Sequence, residues 1–108
     1  MIELTEKYVF HIPLYKCVDG ELVLIDLDDL LDELFGEFTK NGFKSWYMTK
    51  VKSFYKSVTY DEILITIFTS KDESPCEIFE KWFRRNNDIL CQKYFAYECR
   101  NRLIIRDL

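Results

Sequence analysis

The sequence predicts an α+β domain in which an antiparallel sheet is covered on one face by two helices. Three observations predict it: period-2 apolar alternation in separate segments, apolar residues at helical spacing in two others, and turn residues confined to the joints. A chain of 108 residues fits one domain, 1–108, with no room for a second core.

Tyr8, Phe10, Ile12 and Leu14 share one parity and Val9, His11 and Pro13 the other, which is the alternation of a strand. Pro13 has no N–H to give a ladder, so pairing should weaken there. Asp19-Gly20, between Tyr15–Val18 and Glu21–Ile25, predicts a type I′ hairpin, because both residue types tolerate positive φ. Leu27, Leu30, Leu31, Leu34, Phe35 and Phe38 then form one helical stripe. Asp26 stands as its N-cap, Asp28 and Asp29 sit at the positive end of its dipole, Glu33 faces solvent, and Asn41-Gly42 ends it.

Residues 43–51 are β-prone, and 52–61 read as a turn or a twisted extension. Glu62 to Thr69 is a strand apolar on both sides, with Ile63, Ile65 and Ile67 opposite Leu64, Thr66 and Phe68. Ser74-Pro75-Cys76-Glu77 supplies an N-cap, a proline at the first helical position and an acid at the third, so a second helix follows, with Phe79, Trp82, Phe83 and Ile89 or Leu90 inward. Tyr94 to Cys99 is a strand, and Leu103-Ile104-Ile105 either continues it past a bulge or folds back as a fifth.

The resulting order β, α, β, β, α, β resembles the ferredoxin-like superfold over nearly the whole chain. The resemblance rests on element order and implies an architecture without an activity, since this superfold hosts enzymes, regulators and RNA binders alike.

Charge and motifs narrow the function classes. Fifteen bases against 19 acids give a net charge of -4, the wrong overall sign for a dedicated duplex-DNA or anionic-membrane binder. No apolar run approaches the ~20 residues of a membrane span, and Met1 to Glu6 lacks an export signal, so a cytoplasmic protein with four reduced thiols is expected. His11 is the only histidine; a Cys–His relay would need it to approach Cys99 across the ladder, and the simpler expectation is a part-buried strand histidine bonded to backbone or carboxylate. The cysteines have no close pair, the acids between Asp19 and Glu37 lack the alternation of a Ca²⁺ loop, and the three glycines are never clustered. No catalytic residue, metal or cofactor is therefore expected.

Lys40, Lys44, Lys50, Lys52 and Lys56 run without an intervening acid, and bases enrich the C-terminal third among aromatics. Such interleaving suits single-stranded nucleic acid, and Tyr94, Tyr97, Arg100 and Arg102 are the candidate contacts, although no RNA-recognition signature is present. The leading expectation is a non-enzymatic module that self-associates as a homodimer and binds a protein partner or small ligand; a single-stranded RNA or DNA binder is the alternative. Self-association follows from strand parity: if Phe10, Ile12, Ile63, Ile65 and Ile67 face the helices, the uncovered side inherits Val9, His11, Leu64 and Phe68, and swapping the parities only moves the isoleucines outward.

Overall fold

The computed structural model describes all 108 residues. The elements are β1 (Glu6–Pro13), β2 (Tyr15–Val18), β3 (Glu21–Leu24), α1 (Asp28–Lys40), β4 (Trp46–Tyr55), β5 (Val58–Thr69), α2 (Cys76–Arg85), α3 (Asn87–Leu90), β6 (Tyr94–Cys99) and β7 (Arg102–Asp107). Five strands form one antiparallel sheet in the order β4-β5-β1-β6-β7, and β2-β3 form a separate hairpin. The chain is a mixed α+β domain with more strands than a βαββαβ unit: the added ones are β2 and β3 after the first strand and β7, the fold-back alternative, after the last.

Parity decides the layers. Tyr8, Phe10 and Ile12 pair with Ile67, Ile65 and Ile63, so these side chains leave the sheet together. They form one core with Leu30, Leu31, Leu34 and Phe38 of α1 and Phe79, Trp82 and Phe83 of α2. Phe10 lies 4.4 Å from Phe79, centroid to centroid, at the middle of the aromatic cluster. The indole Nε1 of Trp82 donates to the Leu30 carbonyl at 2.9 Å, which satisfies a buried polar atom and ties α2 to α1.

Three sequence expectations are adjusted. Helix α1 starts at Asp28, because Leu27 is drawn into the core; Asp26 Oδ1 accepts the Asp28 N–H at 3.2 Å one residue earlier than a cap would. Of the two readings of residues 52–61 the structure takes the extension: they carry the β4–β5 ribbon past the end of β1, and the chain reverses at Lys56-Ser57, with φ of 48° and 64°. Both residues take positive φ without a glycine, so the turn carries no composition signal. Residues 86–92 hold the short helix α3, closed by Cys91 at φ 55°.

Leu34 is fully buried, whereas Glu33 is itself part-exposed and is held mainly by the half-exposed Arg85, with a long contact of 3.5 Å to the buried Asn86. Leu34→Ala is expected to cost about 2–5 kcal/mol and Glu33→Ala about 1 kcal/mol or less in urea melts with unchanged slope. Equal costs would show that the stripe does not face the sheet.

Candidate active site

The face of the sheet turned away from the helices carries the other parity: Val9, His11 and Pro13 of β1, beside Glu62, Leu64 and Thr66 of β5 and Ala96 and Glu98 of β6. His11 is directly opposite Leu64 and Ala96. Its diagonal neighbours are Glu62 on one side and Glu98 on the other, and a diagonal of roughly 7–8 Å is within reach of long side chains. Ser53 on β4 is the next diagonal step beyond Glu62.

A line of hydrogen bonds results across four adjacent strands. His11 Nδ1 donates to Glu62 Oε2 at 3.0 Å and Nε2 donates to Glu98 Oε2 at 2.6 Å, while Ser53 Oγ donates to the same Oε2 of Glu62. With a carboxylate on each ring nitrogen, both can donate only as an imidazolium. Burial by itself would lower the His11 pKa, but the hydrogen bonds to Glu62 and Glu98 and their negative charges outweigh it and hold it above the ordinary value. Burial would raise Glu62, and the bonds from His11 and Ser53 prevail to hold it below the usual carboxylate range.

The two carboxylates are unequal. The side chains of His11 and Glu62 are 15% and 17% exposed and that of Glu98 is 44% exposed, so Glu98 is the solvent-facing end. Glu62 orients the ring and the ring orients Glu98, an acid–imidazole–acid relay with one net negative charge, set among Val9, Leu64 and Ala96. It can hold a cationic group and keep one carboxylate fixed in direction. The two principal concavities, of about 520 and 420 Å³, lie elsewhere, against α1 and α2 and beneath the β2–β3 hairpin, and contain no relay residue. The relay is the stronger candidate, since perturbed ionisable groups mark functional sites more specifically than open concavity.

The site residues named from the sequence do not converge. Tyr97 is 6% exposed and packs on Phe10 and Phe95 in the core, Tyr94 is 55% exposed on the opposite face, Arg100 occupies a turn paired to Glu6, and Arg102 takes the helix-side parity beside Cys99. A buried Tyr97 has no face on which a base could stack. Nor does His11 approach Cys99, which pairs with Tyr8 and so belongs to the helix side. His11 is the part-buried strand histidine expected, but Glu62 and Glu98 were missed. The signal available was an acid of open-face parity on each strand flanking β1.

No family model matches the chain, and no curated protein matches it in sequence. Its fold is similar to two solved structures. One is a phage SAM lyase in complex with S-methyl-5'-thioadenosine, at 11% identity and TM-score 0.58, covering 95% of this chain and 89% of that one. The other is a phage SAM lyase in the apo state, at 12% identity and TM-score 0.50, covering 100% and 95%. At such identities the likeness is one of fold. It corrects the expectation of a non-enzymatic binding module and its nucleic-acid alternative: the architecture matched from end to end is that of an enzyme, and no sequence motif announced it.

The relay fixes a pH dependence. His11, with its raised pKa, contributes stability fully present below about 6.5 and lost as pH rises through the folded value; Glu62, with its lowered pKa, contributes above about 4.5 and is lost as pH falls through its folded value. The imidazole resonances of the lone histidine are expected to titrate with a midpoint above about 6.5, moving down in both Glu62→Gln and Glu98→Gln. A midpoint at or below that value in the parent protein would mean that the bridge is not formed.

Proposed function

We propose that this chain is an enzyme that binds S-adenosylmethionine and cleaves it to S-methyl-5'-thioadenosine. What supports the reading is the fold likeness to a phage SAM lyase holding that nucleoside, joined to the relay on the uncovered face. The core architecture is inferred to be ferredoxin-like: with β2, β3 and β7 set aside, the four remaining strands stand in the order second, third, first, fourth, antiparallel throughout.

The chemistry fits what the residues offer. When the bond from the sulfonium sulfur to the side-chain carbon breaks, its electron pair stays on sulfur, which leaves as a neutral thioether, while an oxygen of the substrate's own carboxylate bonds to that carbon and closes a lactone. The leaving group needs no acid. What the protein supplies is a site that binds and orients a cationic substrate, and Glu98, aimed by His11 and backed by Glu62, is its anionic contact.

Purified protein incubated with S-adenosylmethionine is expected to release S-methyl-5'-thioadenosine, followed by chromatography with mass detection. Glu98→Gln should slow release by about 10²-fold or more while the far-ultraviolet spectrum is unchanged. Binding without turnover, or no heat of binding in calorimetry, would remove the proposal.

A further inference from the structure

We propose that Lys7 and Glu98 clamp the amino-acid end of S-adenosylmethionine, Lys7 taking the α-carboxylate and Glu98 the α-ammonium, a reading that rests on the activity proposed above. It adds the means by which one end of the substrate is recognised.

Strand register places the pair. Val9 lies opposite Glu98 and Lys7 lies opposite Phe68, so Lys7, Val9 and His11 leave β1 on the uncovered face with Glu98 beside them. Glu98 therefore has two diagonal neighbours on β1, His11 toward one end of the strand and Lys7 toward the other, each at roughly 7–8 Å. His11 Nε2 holds Oε2 of Glu98 at 2.6 Å, which draws the carboxylate toward His11 and away from Lys7. Lys7 takes part in no ion pair: its sequence neighbour Glu6 has the helix-side parity and is paired to Arg100. Oε1 of Glu98 has no partner within the protein either. An unpaired ammonium and an unpaired carboxylate oxygen thus stand on the two sides of the buried Val9, which forms the floor between them.

An α-amino acid carries the complementary pair, a carboxylate and an ammonium on one carbon. Either protein charge alone accepts any simple counter-ion, whereas the two at a fixed spacing select the zwitterion. Across the ladder from Lys7 stands Phe68, and Tyr47, about half exposed, packs on it with ring centroids 6.4 Å apart. That aromatic surface offers the adenine a stacking face and so sets the direction of the substrate, with the nucleoside over β4 and β5 and the amino-acid end over β1 and β6.

Calorimetry with two nucleosides tests the clamp, since S-adenosylhomocysteine keeps the amino-acid end and S-methyl-5'-thioadenosine lacks it. Lys7→Met, which keeps the bulk of the side chain and removes its charge, is expected to weaken S-adenosylhomocysteine about 10-fold and to leave the affinity for S-methyl-5'-thioadenosine unchanged. Lys7→Arg should restore most of the loss. An equal loss for both nucleosides would mean that Lys7 only supports the face, and an unchanged affinity for S-adenosylhomocysteine would mean that it meets no carboxylate; either result would overturn the clamp. A parent protein that neither binds these nucleosides nor cleaves S-adenosylmethionine would remove the clamp and the activity together. A parent that cleaves it, with a Lys7→Met variant that shows no selective loss, would remove the clamp and leave the activity standing.

Discussion

β1 is hydrogen-bonded along both sides, to β5 and to β6, so each of its side chains is committed to one face of the sheet. Phe10 and Ile12 go to the helix side and are fully buried, and once they do, His11 has nowhere to point except the uncovered face. A slip of one residue would bury an imidazole among phenylalanines and put two large apolar side chains in water. The register of this one strand therefore holds together the aromatic core, the placement of both helices and the position of the only histidine.

The relay is not an obvious source of stability. Charges drawn out of water lose hydration, and a part-buried pair regains it only through good geometry and further hydrogen bonds. Here the least exposed acid, Glu62, accepts from both His11 and Ser53, while the more exposed Glu98 keeps contact with solvent. Removing the whole line for apolar residues would cost the fold little, so its presence is better explained by what it holds in place than by what it stabilises. The core behaves differently: Phe10, Phe38, Phe79, Trp82 and Phe83 are buried with their one polar atom satisfied, and burial on that scale is what carries a domain this small.

What could be read from the sequence was what is local. The α1 stripe, the alternating isoleucines of β5 and the Asp19-Gly20 turn each depend on residues within a few positions of one another, and the structure places them as expected. Lys56-Ser57 escaped because its left-handed turn uses residue types with no preference for positive φ, and a reversal hidden there left the ribbon's extension undistinguished from a turn. The relay escaped for a different reason. Its partners lie 51 and 87 residues from His11, and only the pairing of whole strands brings them together. Tyr97 was misplaced because an aromatic on a strand reads identically whether it faces a core or a ligand; parity relative to Phe10 decides it, and parity is a property of the sheet.

The position of β1 also sets the sequence of events by which the molecule can form. This strand precedes all the others in the chain, yet its second side is closed only by a strand that begins at Tyr94. Until then an alternating apolar segment lacks at least one of its two permanent neighbours. Long-range pairing of this kind slows folding, since loop closure precedes any reward from the contact. The β4–β5 ribbon, closed by a two-residue turn, can assemble long before and offers β1 one edge on which to wait. Closure of the central strand therefore waits until the segment Tyr94–Cys99 has been made and can reach it.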